Sequence, residues 1–455
     1  MSGKDVIDVQ RFLNEHPFSR LQWLIFAMCF VIVVLDGFDT AAVGFIAPSL
    51  IAEWHVQKSS LGPVLSAALF GLAFGAIVSG PLSDRWGRRG LLIGSVALFG
   101  VASLACVLAG SLTQLTVLRF VTGVGLGAAM PNAVTLVGEY CPDRRRATLV
   151  NLMFCGFPLG AAVGGFLAAW MIPQFGWRSV LVLGGVVPLV LAAILLAVLP
   201  ESVRYLVAKG KPAERIRDVL RRISPDAATI QAFTLREAAA GPARKSDMRL
   251  VLSGSYIVGS LMLWITYFMG LVIFYGLINW MPVLFKEAGF SAGQSTLLSA
   301  LFPLGGVGAV VCGMLMDRFN ATKVVAGCYA LTALSVYAIG QSLGSVGALI
   351  GAILVAGVLM NTAQCSMPAL AAAFYPTQGR ATGVAWMLGV GRFGGIAGSF
   401  LVAELSLRHL SLEGIFSVVA VAGVISCVAL LVKVAACRDI PVVQPVEGEP
   451  VHPGH

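Results

Sequence analysis

The sequence predicts an all-α polytopic membrane protein, with twelve transmembrane helices arranged as two pseudo-symmetric six-helix halves. Three observations predict this fold: an apolar composition, apolar residues gathered in long blocks, and motif residues that recur in the second half. Of the 455 residues, 58% are hydrophobic and only 12% are charged, whereas soluble domains carry about 25% charged residues. Such a chain cannot cover a water-facing surface, so a soluble fold is excluded.

The apolar blocks are long enough to cross a membrane, which takes roughly 20 apolar residues. Backbone groups in lipid must be hydrogen-bonded internally, and the alternating strands of a barrel are absent from the sequence, so the blocks are predicted to be helices. The predicted spans are 21–50, 60–81, 91–110, 114–139, 147–171, 178–199, 251–285, 292–316, 323–343, 346–374, 381–405 and 413–436.

These spans divide the chain into five predicted regions. They are a cytoplasmic N-terminal segment (1–20), an N-terminal six-helix half (21–199), a cytoplasmic central loop (200–250), a C-terminal six-helix half (251–436) and a disordered cytoplasmic tail (437–455). Within the central loop, residues 214–223 have the pattern of an amphipathic helix, which we expect to lie on the membrane surface.

The distribution of basic residues predicts the orientation, because short loops rich in Lys and Arg stay in the cytoplasm. The basic segments are the loop with Arg85, Arg88 and Arg89, the loop with Arg144, Arg145 and Arg146, and the central loop with eleven Lys and Arg residues. The alternate loops are short, and those at 111–113 and 344–345 contain no Lys or Arg. Both termini are therefore predicted to be cytoplasmic, in a multi-pass protein of the inner membrane. Because the basic clusters are short and lie between lipid-seeking blocks, nucleic acid is not expected as a partner.

An internal repeat relates the two halves. The recurring residues are Gly75, Gly80, Asp84 and Arg85, matched by Gly308, Gly313, Asp317 and Arg318 at an offset of 233, and Met130 and Pro131, matched by Met367 and Pro368. The second half is thus a diverged copy of the first. In membrane proteins built from such repeats, the binding site lies at the repeat interface near the midplane.

The loop after the second span reads Gly80-Pro-Leu-Ser-Asp84-Arg85-Trp-Gly87-Arg88-Arg89-Gly90 and resembles the signature loop of the major facilitator superfamily. Its glycines would let helices approach closely, and Asp84 can complement a helix N-terminus and pair with arginine, which predicts a cytoplasmic gate. The predicted gating residues are Gly80, Asp84, Arg85, Gly87, Arg88, Glu139, Asp317 and Arg380. The alternative is a basic anchor that serves orientation alone.

Charged residues also lie within the predicted spans, where a charge is costly and usually functional. Asp36 and Asp39 of the first span share a helix face at i, i+3 spacing. Burial favours the neutral acid, so at least one of them is predicted to carry a proton; the alternative is two structural ion-pair partners. Arg119 of the fourth span can pair with Asp36 or Asp39, or bind a substrate carboxylate through two parallel hydrogen bonds.

Arg392 lies about twelve residues into the eleventh span, near the midplane, and is the main candidate to bind a substrate carboxylate. A structural ion pair is the alternative. Aromatic rings and amides can add ring faces and polar contacts, although aromatic residues in membranes more often form interfacial belts. The predicted substrate-binding residues are Arg392, Arg119, Phe38, Tyr267, Tyr275, Asn361, Gln364 and Trp386.

Three stretches, namely Leu35–Pro48, Phe374–Gly383 and Gly389–Gly394, resemble the aromatic acid:proton symporter family of the major facilitator superfamily. The similarity extends over nearly the whole chain. The resemblance implies functional roles for the aspartates of the first span, the arginines of the fourth and eleventh spans, and the signature loop. The corresponding residues are Asp36, Asp39, Arg119, Gly80, Asp84, Gly87, Arg380 and Arg392.

The resemblance further implies a monomeric symporter that imports protons together with a small aromatic carboxylate, such as 4-hydroxybenzoate, protocatechuate or a close relative, for catabolism by a bacterium. No nucleophile constellation, metal-ligand cluster or cofactor motif occurs in the sequence. We therefore expect no enzyme activity, no metal and no cofactor, with the proton gradient as the driving force.

Other kinds of porter remain open from the sequence. Residues 200–205, Pro-Glu-Ser-Val-Arg-Tyr, resemble the signature that sugar porters carry after the sixth span. Paired intramembrane Asp and Arg residues argue against a neutral sugar. Two further alternatives are a porter for other organic anions and, less favoured, a multidrug exporter.

Overall fold

The computed structural model describes residues 6–235, 251–254, 256–308, 320–375 and 377–437. Within these ranges, eleven helices are long and apolar enough to cross a membrane. The eighth predicted span is described only as far as residue 308, where a helix passes into a 3₁₀ turn, Gly305–Gly308. The described residues are thus mostly helical, as the sequence predicts, apart from two strands of three residues each.

The first half begins with a short strand and a short helix, which precede its membrane helices. The elements are β1 Val6–Asp8, α1 Val9–Glu15, α2 Arg20–Trp54, α3 Leu61–Trp86, α4 Arg88–Val107, α5 Leu112–Tyr140, α6 Asp143–Phe154, α7 Gly156–Phe175 and α8 Arg178–Val198. The fifth predicted span, 147–171, is therefore divided at Cys155 into α6 and α7, and α6 begins before it.

Short elements connect the first half to the second, and long helices follow. The elements are α9 Val203–Ala208, α10 Ala213–Arg221, β2 Ala232–Thr234, α11 Ile257–Glu287, α12 Ala292–Leu304, α13 Ala321–Gln341, α14 Val346–Phe374, α15 Thr377–Leu407 and α16 Leu412–Ala436.

Serine caps define where several membrane helices begin. Ser19 accepts a hydrogen bond from the backbone N–H of Gln22, and the Gln22 side chain accepts one from the backbone of Ser19. Ser291 and Gln294 form the same capping box at the start of α12. Such caps satisfy N–H groups that have no partner within the helix, so the polar residues between apolar blocks fix the helix starts.

Glycines allow α5 to pack closely on α3. A β-carbon on Gly123 would collide with the carbonyl of Ala68, and one on Gly127 would collide with the carbonyl of Leu72. The two backbones are therefore in direct contact, which is the packing that small residues permit in membranes. This contact fixes the position of α5, which carries Arg119.

Contacts between the two halves include one end of the bundle. We call the end with the loops around Arg85 and Arg144 the arginine side, and the opposite end, with Lys58 and Glu287, the far side. The helix pairs α2 with α11, α3 with α15, and α7 with α12 make contact between the halves. On the far side, Lys58 of the first half forms an ion pair with Glu287 of the second, and Lys286 donates to the Pro48 carbonyl at 3.2 Å. The far side is therefore held closed.

A small cap covers the arginine side of the first half. β1 pairs in parallel with β2, and Val9 and Phe12 of α1 share an apolar cluster with Ile216 and Leu220 of α10. The location predicted for the helix at 214–223 is therefore wrong, because its apolar face packs on the protein and not on a membrane surface. An amphipathic pattern marks an apolar face without saying what covers that face.

We expect the charge reversal Lys58→Glu to loosen the far side. It would place two carboxylates together, and an exposed pair of this kind contributes about 0.2–1 kcal/mol. The population of far-side-open molecules should therefore rise by about fivefold at most. Spin labels on Ser59 and Leu410 would report the distance between the halves. Glu404→Lys, which breaks the Glu404–Arg408 pair at the end of α15, is the matched control.

The double reversal of Lys58 and Glu287 should restore the distance distribution of the unaltered protein. If Lys58→Glu changes that distribution no more than Glu404→Lys does, the ion pair does not hold the halves together.

Candidate functional site

A buried ion pair joins α2 to α5 at the centre of the bundle. Arg119 donates from Nη1 to Asp39 Oδ1 at 2.7 Å and from Nη2 to Asp39 Oδ2 at 2.8 Å. Both side chains are only 1% exposed. The structure thus selects Asp39 from the partners that the sequence left open for Arg119. Both terminal nitrogens of the guanidinium are engaged by that carboxylate, so neither is directed at a substrate in this conformation.

Asp36 lies one helical turn before Asp39 on α2 and is 4% exposed. Its Oδ1 makes no hydrogen bond to any described residue. Asp36 lies within electrostatic range of Arg392 on α15, as well as of Asp39. An ionised carboxylate with an unpaired oxygen is costly at this depth, and either a cation or a proton can offset that cost.

Arg392 reaches from the second half to the first. Its Nη1 donates to the carbonyl of Leu72 on α3 at 3.0 Å, and the side chain is half-buried. Among the described residues no carboxylate lies within ion-pair distance of it, so the structural ion pair that the sequence left open is not observed there. The guanidinium therefore has capacity for an anion at the interface between the halves.

Two tyrosines of α11 lie close to Arg392. Tyr267 packs on Gly391 and Tyr275 packs on Gly395, both on α15. Each hydroxyl lies within electrostatic range of Arg392, and that of Tyr275 also lies within range of Asp36. The structure thus brings together, between the halves, the predicted binding residues Tyr267, Tyr275 and Arg392 and the predicted proton carrier Asp36.

The α14 amides predicted to bind substrate differ in their surroundings. Gln364 adjoins Tyr267, and its Oε1 accepts a hydrogen bond from the Tyr329 hydroxyl at 2.8 Å. Asn361 donates from Nδ2 to the carbonyl of Gly357 at 2.8 Å and, more weakly, to that of Phe302. Asn361 thus uses its amide to join α14 to α12, whereas Gln364 belongs to the group around Tyr267.

Phe38 does not lie between the halves, contrary to its predicted substrate-binding position. The ring is buried inside the first half, where it contacts the positions of Gly164 on α7 and Gly184 on α8. An α-helix turns about 100° per residue, so Phe38 points about 200° away from Asp36. A residue between two functional aspartates in sequence therefore faces the opposite side of the helix.

Trp386, also predicted to bind substrate, stacks on Trp264 with ring centroids 5.7 Å apart. Its side chain is 41% exposed. None of its described contacts reaches Arg392 or Asp36, so the structure does not bring it into the central group.

A small cavity beside Arg119 is lined by the predicted residue Tyr275 and by two polar residues that are absent from the sequence predictions, Thr40 and Asn279. Asn279 donates to the Ser399 hydroxyl at 2.9 Å. An amide inside the apolar α11 is the kind of signal that marks intramembrane function. Thr40 follows directly from the aspartate motif of α2.

The gate region on the arginine side depends on one glycine. Gly87 has a φ of 91°, a backbone conformation that favours glycine. A β-carbon there would also collide with the carboxylate of Glu201, which accepts a hydrogen bond from the backbone N–H of Arg89 at 3.0 Å. Gly87 thus lets the loop after α3 close onto the segment that follows α8.

Further contacts extend this network. Arg88 forms an ion pair with Glu139 at 3.5 Å, and Glu139 accepts a hydrogen bond from Ser202. The Tyr205 hydroxyl donates to the Arg85 carbonyl at 3.1 Å. Ser202 and Tyr205 are absent from the gating residues predicted from the sequence. Their signal is the run at 200–205 that resembles the sugar-porter signature.

The remaining predicted gating residues are placed only in part. Gly80 is exposed, and no atom lies within 4 Å of the position a β-carbon would take, so the close helix approach predicted there is wrong. The side chains of Asp84 and Arg380, and the whole of Asp317, lie outside the described residues. Their gating roles stay predictions.

Comparisons with known proteins identify close relatives. The 4-hydroxybenzoate transporter PcaK of Pseudomonas putida is 51% identical over 94% of this chain and 96% of its own length. The protein of the same name in Acinetobacter baylyi is 46% identical over 94% of each chain. The gallate transporter of Pseudomonas putida is 42% identical over 93% of this chain and 94% of its own length.

Comparisons of structure and family agree with the bundle described above. The inward-open xylose transporter XylE from E. coli has a TM-score of 0.72 at 17% identity, covering 92% of this chain and 96% of that chain. This likeness concerns the fold alone, and it confirms the fold class predicted from the sequence. The family model of the Major Facilitator Superfamily matches residues 29–310 and 286–450, and so includes both halves. The chain therefore belongs to the major facilitator superfamily.

Proposed function

We propose that the protein is a proton-coupled symporter that imports small aromatic carboxylates by alternating access of its two halves. The observation that carries the proposal is the relation of Asp36 to Arg392. An acid with an unpaired oxygen lies within electrostatic range of an arginine that binds only a neutral carbonyl among the described residues. Both groups lie deep in the membrane, at the interface between the halves.

Charge balance links the proton to the substrate at this site. In the empty site, an ionised Asp36 offsets the positive charge of Arg392. A substrate carboxylate that binds the guanidinium through parallel hydrogen bonds takes over this role. Two carboxylates then share one cation in a medium of low dielectric constant, which is unfavourable unless one of them is protonated. Substrate binding and protonation of Asp36 therefore accompany each other.

The Asp39–Arg119 pair has a different part in the proposal. It fixes α2 against α5, so that Asp36 keeps facing the second half. Its contribution to proton coupling is therefore made through the position of Asp36.

The chemistry of the relatives supports an aromatic acid as substrate. 4-Hydroxybenzoate and gallate, for which these relatives are named, are both hydroxylated benzoates, and protocatechuate belongs to the same class. The sugar-porter alternative loses its support, because residues 201–205 contact the gate loop and so carry no information about the ligand. Tyr267 and Tyr275 offer ring faces next to Arg392.

The proposal also sets the orientation. The arginine side lies in the cytoplasm of a bacterium, with both termini, according to the positive-inside rule. The far side then faces the exterior, where the Lys58–Glu287 contact joins the two halves. The functional unit in this proposal is a monomer, and the proton gradient drives transport without a cofactor.

Uptake into proteoliposomes tests the proposal directly. We expect labelled 4-hydroxybenzoate to accumulate when the exterior is made acidic, because Asp36 then binds a proton from the exterior and releases it to the interior in each transport cycle. Accumulation should disappear when a protonophore collapses the gradient. Unlabelled protocatechuate should compete, and xylose should not. Accumulation that is indifferent to the gradient, or competition by xylose and not by aromatic acids, would contradict the proposal.

The two aspartates should respond differently to the substitution by asparagine. Asp36→Asn should leave the protein folded and abolish gradient-driven accumulation, while exchange of labelled for unlabelled substrate continues. Asp39→Asn should destabilise the protein, because removing one member of a buried ion pair costs about 3–5 kcal/mol. Thermal unfolding in detergent and counterflow in proteoliposomes separate these outcomes. Gradient-driven accumulation by Asp36→Asn would refute its assignment as the proton carrier.

Gly87→Ala should slow transport, because the β-carbon requires a strained backbone and displaces Glu201. The positive φ alone costs roughly 1–2 kcal/mol for a residue with a side chain, so initial uptake should fall about tenfold or more. Gly80→Ala is the matched control, since its β-carbon meets open space. Uptake is normalised to the amount of protein in the membrane. Equal losses in the two variants would show that the contact with Glu201 is not what matters.

A further inference from the structure

Gln364 holds a donor that no described acceptor satisfies. Its Oε1 accepts the hydrogen bond of the Tyr329 hydroxyl, whereas its buried Nε2 lies beside the Tyr267 hydroxyl without a well-formed hydrogen bond to it or to any other described residue. An unsatisfied buried polar group costs about 1–3 kcal/mol. Such groups in native proteins call for an explanation, and a missing ligand is one.

The surroundings of Gln364 lead towards Arg392. Tyr267 adjoins Gln364 on one side and lies within electrostatic range of Arg392 on the other. Tyr329, which is fully buried, lies within range of Tyr267 as well. A neutral group of two phenols and one amide therefore continues from the cation of the site into the second half.

Asn361 provides a contrast on the same helix, one turn away. Its Nδ2 donates to backbone carbonyls of α14 and α12, so its donor is satisfied by the fold. The two amides therefore differ in their nitrogen atoms. Asn361 Nδ2 donates to backbone carbonyls, whereas Gln364 Nε2 has no acceptor among the described residues, although Gln364 Oε1 is held by Tyr329. The Tyr329 hydrogen bond thus sets which end of the Gln364 amide is presented.

We propose that Gln364 and Tyr267 recognise a hydroxyl group on the ring of the substrate, and that Tyr329 orients Gln364 for this purpose. The inference rests on the proposed function, since it assumes that Arg392 binds the carboxylate of an aromatic acid. The carboxylate then lies at Arg392, and the ring extends past Tyr267 towards Gln364.

The chemistry of a phenol fits this group. A phenolic hydroxyl is both an acceptor and a donor, so its oxygen accepts from Gln364 Nε2 while its proton is donated to the Tyr267 oxygen. A second carboxylate would bring an unneutralised charge to a group without a cation. Benzoate, which lacks the hydroxyl, leaves Nε2 unsatisfied, and sites built to bind a hydroxyl discriminate strongly against analogues without one.

The test measures kcat/KM for uptake of 4-hydroxybenzoate and of benzoate in proteoliposomes. We expect the unaltered protein to prefer 4-hydroxybenzoate. Gln364→Leu should lower kcat/KM for 4-hydroxybenzoate about tenfold or more, which corresponds to loss of about 1.4 kcal/mol or more of binding energy, and should leave that for benzoate within about twofold. The preference for the hydroxyl should therefore collapse.

Two further variants keep the test decisive. Gln364→Leu also removes the acceptor of the Tyr329 hydroxyl, so the double variant with Tyr329→Phe removes both partners and should recover thermal stability while the preference stays lost. Ser366→Ala is the matched control on the same helix, because its hydroxyl already donates to the Thr362 carbonyl. It should change neither substrate's kcat/KM.

Failure of this inference is distinguishable from failure of the proposed function. Absence of gradient-driven uptake of any aromatic acid by the unaltered protein would refute the function itself. If uptake occurs but the unaltered protein shows no preference for the hydroxyl, or Gln364→Leu keeps that preference, the recognition role of Gln364 is wrong and the symporter stands.

Discussion

The ion pair between Asp39 and Arg119 connects the first and fourth membrane helices where no water is available to either charge. Removing two charges from water costs several kcal/mol for each ion, and only good geometry with additional hydrogen bonds can offset that cost. Here two parallel hydrogen bonds and a third to the Asp39 carbonyl do so. The close contact of α3 with α5 through Gly123 keeps Arg119 in place for them. The electrostatic stabilisation of the ion pair therefore depends on the close helix packing in the first half.

With Asp39 committed to Arg119, Asp36 becomes the acid that responds to the second half. Its position one turn away gives it the same helix face but different neighbours, namely Arg392 and Tyr275. In the proposed mechanism, a closely spaced pair of identical residues thus divides into a structural member, Asp39, and a proton-carrying member, Asp36. The two roles are separated by a single helical turn, and Arg119 decides between them by pairing with Asp39.

The sequence was sufficient to predict the fold class. Hydropathy and basic loops are properties of short segments, and the internal repeat can be read directly by comparing the two halves of the sequence. It also singled out Asp36, Arg119 and Arg392 as candidates, since a charged residue within an apolar block is easily recognised. The sequence could not identify contacts between residues far apart in the chain, such as that between Gly87 and Glu201. Phe38 is adjacent in sequence to the aspartates, but the helical rotation turns its ring into the first half. Gly80 permits a close helix contact, but no described helix lies against it.

The parallel pairing of β1 with β2 has a consequence for how the chain is made. Residues 6–8 bond to residues 232–234, so the ends of a segment that contains every helix of the first half are joined to each other. A chain synthesised from its N-terminus has this whole segment available before α11 emerges, and domains generally fold as units in that order. The cap therefore allows the first half to fold around the Asp39–Arg119 pair early. Asp36 is then in place before Arg392, which belongs to the second half, has been synthesised.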